Sequence, residues 1–199
     1  MQNIVKINNH KIILGSRSPR RQELLKQMGI SFEVVVKETN EDYLTTLKAE
    51  QIAVYLSEKK AQAFNDLDDE TILITADTIV WLNSRVINKP ENVEDAYKIL
   101  NELSGQMHQV FTGVFLKKRN KIHSFFAETK VFFKPLEEDE INFYINQHQP
   151  FDKAGSYGIQ EWIGYIGIEK IDGSYTNVMG LPTQDLYREL LKFINQNDF

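Results

Sequence analysis

Apolar and polar positions along the chain alternate between short apolar runs and stretches of helical spacing. Ile12, Ile13 and Leu14 after Lys11 predict a strand over 11–14. Ser18 as N-cap, Pro19 at the first helical position, Leu24, Leu25 and Met28 on one face, and Gly29 as C-cap predict a helix over 19–28. Phe32 to Val36 predicts a second strand, and Ile52, Ala53, Leu56, Lys60 and Ala63 predict a helix over 48–64. The run TILITAD predicts a buried strand ending at Asp77, and TIVWLNSRVI a hairpin-like pair after it. Pro90 to Leu103 predicts a helix closed by Ser104 and Gly105. Strands near 108–117 and 121–133 and a helix near 137–147 follow. The last third predicts loop and hairpin with a turn at Asp172-Gly173, then a terminal helix after Pro182.

No Pro/Gly/Ser-rich linker, repeat or low-complexity tract interrupts this pattern, so the expectation is one α/β or α+β unit, a single domain over 1–199. The 199 residues suffice to bury a core without staples, and with no Cys no disulfide is possible. The N-terminus lacks the apolar core of a signal peptide, and nowhere do about 18 apolar residues run together. A soluble, cytoplasmic chain with no membrane partner is expected. The net charge of −5 and pI near 5.5 give an overall field that does not favour nucleic acid. A polyanion would have to meet a local cluster of cations.

One such cluster stands in GSRSPRRQELL. A helix N-terminus carries about half a positive charge and prefers acids, yet Arg20 and Arg21 occupy the first turn of the helix after Ser18. Either both are solvated, or an anion sits at the helix start against free backbone N–H groups, the hydroxyls of Ser16 and Ser18, and the two guanidiniums. The loop is neither a Walker A motif nor GxGxxG. Asp77 emerges from an apolar run and needs a partner, for which a divalent cation competes with a turn-capping role beside Thr78. Glu41 lies in a polar loop, Lys60 on the apolar face of its helix, where it must snorkel or find a partner, and Lys89 just before Pro90 at another helix start. Two helix starts bearing cations suggest one polyanion between them.

His10, His108, His123 and His148 show no metal-binding spacing, and no GxSxG elbow is present. What remains is an oxygen-ligand site in which carboxylates hold Mg²⁺ or Mn²⁺ against phosphates.

The segments SRSPRRQELL, ADTIV, NKP, LSGQMHQVFTGV, DKAGSYGIQ and IDGSYTNVMGLP, in this order, resemble the Maf family of nucleoside triphosphate pyrophosphatases, first known as septum-formation inhibitors. The resemblance runs from about Ile13 to Leu190. It implies a two-lobed α/β fold of the inosine triphosphatase type, with an elongated mixed sheet, flanking helices and a central cleft, often assembled as a homodimer. It also implies hydrolysis of a nucleoside triphosphate to monophosphate and pyrophosphate with a divalent metal. Carried onto matching positions, it makes Asp77 the catalytic acid, as proton acceptor or metal ligand. Ser16, Arg20, Arg21, Lys60 and Lys89 become phosphate-binding and Glu41 an acidic cleft residue, and Mg²⁺ or Mn²⁺ held by Asp77 and Glu41 is the mechanism expected on that basis. Arg20, Thr78 and Gln160 match positions tied to specificity, and Gln160 marks the branch acting on dTTP and UTP. An amide suits the O4 and N3–H edge of uracil or thymine, where another branch carries an acid. Gly15 stands where many relatives have Ala, and several residues of no evident role precede the first strand. The competing reading is a nucleotide-sensing regulator of cell division acting through a protein partner.

Overall fold

The computed structural model describes residues 2–195; Met1 and residues 196–199, which the expected 1–199 domain includes, lie outside the described residues. Among the described residues seven strands form one mixed sheet: β1 (Lys11–Leu14), β2 (Glu33–Val34), β3 (Thr71–Leu82), β4 (Arg85–Ile87), β5 (Met107–Lys118), β6 (Lys121–Phe133) and β7 (Ile168–Asp172). Their order is β2-β1-β3-β5-β6-β7, with β4 paired to β3. β1 is parallel to β2 and β3, and the remaining pairs are antiparallel. Among the described residues eight α-helices surround it: α1 (Gln2–Asn8), α2 (Pro19–Gln27), α3 (Glu50–Gln62), α4 (Val93–Leu103), α5 (Glu138–His148), α6 (Trp162–Gly167), α7 (Tyr175–Met179) and α8 (Thr183–Asn195). The expected mixed sheet with flanking helices is the observed architecture.

Alternation of side chains along β3 explains how the core divides. On one face, Ile72, Ile74 and Ala76 pack with Leu25 of α2 and Leu186 and Leu190 of α8. Further along the same face, Val80 and Leu82 pack with Leu100 of α4 and Tyr144 and Ile145 of α5. The opposite face belongs to α3, which sets Ala61 against Leu73 and Ile52, Ala53 and Leu56 against Ile79. Asp77 and Thr78 fall between these clusters, one on each face.

Several local expectations change. Asp77 does not end a strand: it stands mid-way along the twelve residues of β3, with Gly113 of β5 opposite. The strand continues because Ile79 and Val80 are as buried as the residues before it. The helix expected from Pro90 begins at Val93, capped by the Asn92 side chain, with Glu94 and Asp95 in its first turn. That helix therefore obeys the dipole preference, and Lys89 lies in the preceding loop rather than at a helix start. Around Asp172-Gly173 there is no hairpin: Gly173 turns the chain at φ 132°, Ser174 caps α7, and Gly180 ends it at φ 113°. The N-terminal residues without evident role form α1, which buries Ile7 in the cluster under α8.

Candidate active site

The site begins with a gap in the sheet. β5 pairs with one edge of β3 from Leu73 to Trp81. On the other edge β1 covers Thr71 to Ile74 and β4 covers Val80 to Leu82. Among the described residues no strand lies beside residues 75–79 on that edge, and the mouth so formed is where Asp77 and Thr78 sit.

On the α3 side, Lys60 follows Ala53 and Leu56 along one helical face and reaches the sheet where Asp77 faces it. Its Nζ contacts Asp77 Oδ1 and lies 3.2 Å from Glu41 Oε1. The Lys60 and Asp77 side chains are only 19% and 10% exposed. Lys89 Nζ meets the other Glu41 oxygen at 3.3 Å. Burial would raise the Glu41 carboxyl, but the two ammoniums outweigh it and hold the carboxyl below its usual range.

On the opposite face Arg21 fills the space between α2, β3 and the end of α7. Its Nε donates to Gly180 O at 2.8 Å, Nη1 to Ser16 Oγ at 3.2 Å and Nη2 to Thr78 Oγ1 at 3.0 Å. Ser16 Oγ also accepts the Ser18 N–H at 3.2 Å, and Thr78 Oγ1 lies 2.9 Å from Thr112 Oγ1. Burial draws the Arg21 pKa down, opposed by the charge of Asp77. Among the described residues no carboxylate pairs with this guanidinium; its partners are neutral oxygens. A desolvated cation at a helix start, hydrogen-bonded only to neutral oxygens, favours further negative charge beside it.

The far wall comes from residues 152–160. Arg20 Nη1 meets Asp152 Oδ2 at 2.9 Å, and Lys153 bridges Asp152 Oδ1 at 2.7 Å and Glu161 Oε1 at 3.1 Å. Gln160 Oε1 is buried and has no hydrogen-bond partner. Beside it Val80, Val110, Tyr157, Val178 and Met179 line an inner pocket of about 140 Å³. A wider pocket of about 540 Å³ opens next to it over Ser16, Arg17, Ser18 and Phe64, sharing Arg20, Arg21, Glu41, Lys60 and Lys89.

The ten residues singled out in the sequence therefore line one cleft: Ser16, Ser18, Arg20, Arg21, Glu41, Lys60, Asp77, Thr78, Lys89 and Gln160. The solvated reading of Arg21 and the snorkelling reading of Lys60 are both replaced by hydrogen bonds. Asp152 and Lys153 belong to the same wall and were missed. Their sequence signal was an adjacent acid and base within the DKAGSYGIQ segment, which reads as a solvated pair until Lys153 is seen to be buried.

The carboxylates of Asp77 and Glu41 converge on one cationic group, the Lys60 ammonium. Both are hard oxygen donors, and the described residues gather no cluster of three or more His, Cys, Asp or Glu side chains. Such a pair fits a Mg²⁺-like ion that takes its other ligands from phosphate and water.

An α/β protein with a mixed sheet broken at one edge, and a cation-rich cleft at the break, is the class these features define. A solved structure of a HAM1 protein from Coxiella burnetii shares the fold, with a TM-score of 0.52 and 13% identity over 92% of this chain and 99% of that one. Residues 11–193 match the family described as Maf-like protein, and the chain belongs to the Maf family. A dTTP/UTP pyrophosphatase of Phocaeicola vulgatus is 52% identical over 188 residues, covering 94% of this chain and 97% of its own length. One of Flavobacterium psychrophilum is 49% identical over 187 residues, covering 94% and 96%.

Proposed function

We propose that this protein hydrolyses dTTP and UTP, and related pyrimidine nucleoside triphosphates, to the monophosphate and pyrophosphate. The observation that carries the reading is the arrangement at the β3 gap: Asp77 against Lys60 on one side, the Arg21 guanidinium held by neutral oxygens on the other, and the Gln160 side chain lining the inner pocket. The names of the relatives support the same substrates.

In this reading the base enters the inner pocket, with its ring against Val80, Val110 and Met179. Gln160 Oε1 accepts the N3–H and the amide N–H donates to O4; cytosine, with an N3 acceptor and a C4 amine, needs the amide turned over, so an amide held in this orientation selects against it. The phosphates lie along the wider pocket against Ser16, Arg20, Arg21, Lys60 and Lys89, which neutralise the charge that gathers on the departing pyrophosphate. Water attacks the α-phosphorus, the bond to the bridging oxygen breaks, and the proton passes to Asp77. Asp77 has an oxygen for this: Oδ1 holds Lys60, while Oδ2 makes no hydrogen bond among the described residues. Mg²⁺ or Mn²⁺ would be held by Glu41 and by Asp77 Oδ1, leaving Oδ2 for the proton, and would supply Lewis-acid charge and a more acidic water. Thr78, tied to Arg21 and to Gly180, keeps the arginine fork at fixed height beside the base pocket.

No helix among the described residues is long and apolar enough to cross a membrane. Cytoplasmic location and a homodimer belong to this proposal, and light scattering of the purified chain tests the second. The regulatory alternative gains no support from relatives that carry enzyme names. The deciding experiment incubates the chain with a nucleotide panel and Mg²⁺ or Mn²⁺. Pyrophosphate with UMP or dTMP is expected; orthophosphate, or binding without turnover, would overturn the reading.

A further inference from the structure

Gln160 does not stand on a free loop. Glu161 N–H donates to Gly158 O at 3.0 Å, closing a tight turn in which Ile159 and Gln160 are the central residues. Both ends of this turn are held by one phenol: Tyr144 of α5 donates its O–H to Glu161 Oε2 and accepts the Gly158 N–H at 3.0 Å. Tyr144 is fully buried, and burial with the neighbouring Glu161 keeps its phenol protonated, above the usual tyrosine value. Gly158 belongs to the same fit, because a Cβ there would lie 2.7 Å from Glu161 Cδ. The second Glu161 oxygen meets Lys153, which meets Asp152, which meets Arg20 at the start of α2. A continuous chain of polar contacts thus runs from the α5 core to the turn and on to the phosphate helix.

We infer that Tyr144 and Glu161 are positioning residues for pyrimidine selection: they hold the 158–161 turn so that the Gln160 amide meets the base at a fixed angle. Neither touches the reacting atoms. The inference rests on the proposed role of Gln160 in reading the base. Without the phenol oxygen the Gly158 N–H and one Glu161 oxygen lose their partner, and the turn acquires alternatives that place the amide out of reach. A loosened amide binds UTP less well and loses its bias against CTP, which presents an amine at C4 and no N3–H.

The test compares kcat/KM for UTP and CTP in wild type, Tyr144→Phe, Glu161→Gln and Gln160→Ala. The UTP-to-CTP ratio does not depend on the fraction of folded enzyme, so a merely destabilising change leaves it unmoved. Tyr144→Phe removes one oxygen from a packed ring and carries the test if Glu161→Gln does not fold. Tyr144→Phe is expected to lower the ratio about tenfold, through KM for UTP with kcat kept. An unchanged ratio in Tyr144→Phe, with a collapsed ratio in Gln160→Ala, would overturn the positioning role while leaving the base reading intact. An unchanged ratio in Gln160→Ala would overturn both.

Discussion

Gly113 is the point at which the proposed geometry is easiest to break without touching a polar group. It lies on β5 directly opposite Asp77, where the backbone of α3 crosses the sheet. A Cβ at Gly113 would sit 2.4 Å from the carbonyl carbon and oxygen of Ala53 and 2.5 Å from Val54 N. Ordinary contact begins near 3.4 Å, so Gly113→Ala must drive α3 outward by about 1 Å. These are backbone atoms, and no rotamer change relieves them. Overpacking of this kind costs about 1–3 kcal/mol, which for a chain of this size lowers Tm by about 2–12 °C. Lys60 stands on the same face of α3 about two turns further along, so the shift carries its ammonium away from Asp77 and Glu41. Misplacement of about 1 Å at a catalytic constellation lowers kcat by about 100-fold. Thermal unfolding and UTP turnover, measured on the same preparation, check both numbers. Wild-type Tm together with wild-type kcat would refute the claim that the bare backbone at Gly113 sets the Lys60–Asp77 distance.

Two further predictions concern the buried cations and imidazole. Arg21→Lys leaves one ammonium to replace a fork that meets Gly180, Ser16 and Thr78 together; KM for UTP is expected to rise at least about tenfold, and an unchanged KM in steady-state assays would remove Arg21 from the phosphate grip. His108 is buried beside Tyr157, with its Nε2 2.7 Å from the phenol oxygen, and burial pushes its pKa from 6.5 down to about 3. The unfolded chain therefore takes the proton first: this stability is complete above about pH 6.5 and drains as pH falls toward 3, amounting to about 2–3 kcal/mol by pH 4.5. Urea unfolding at pH 7 and pH 4.5 should show that loss in wild type and not in His108→Gln; equal losses in both would contradict it.

How much of this was legible in the sequence depends on the range of the interactions involved. Pro19 and Ser18 announced α2 because capping is local, and the Ser18 side chain does accept from Arg21 N. The long strands β5 and β6 were visible in their apolar content. The arginines at the α2 start raised the right question for the same reason: a dipole violated within one turn can be read from adjacent letters. Asp77 was misplaced to a strand end because nothing near it reveals that β1 stops at Leu14 and β4 begins at Arg85, and it is those two limits that open the gap. Lys153 escaped notice because its meaning lies in Glu161 and in burial under the wall, neither of which follows from the Asp-Lys pair. The helix α1 was missed because its apolar signal is little more than Ile4 and Ile7, and only the underside of α8 gives those residues a place to pack. The Gly173 turn was read correctly as a turn, yet the Ser174 cap decided that a helix and not a strand follows.

In the proposed reaction Asp77, at the gap in β3, accepts the proton of the water that attacks the α-phosphorus. UTP hydrolysis by Asp77→Asn measures this role, because the change keeps the size of the side chain and leaves Lys60 its bond to Glu41. With Mg²⁺ or Mn²⁺ present, release of UMP and pyrophosphate is expected to fall at least about 1,000-fold while Tm stays within a few degrees of wild type. Turnover by Asp77→Asn at the wild-type rate would contradict it.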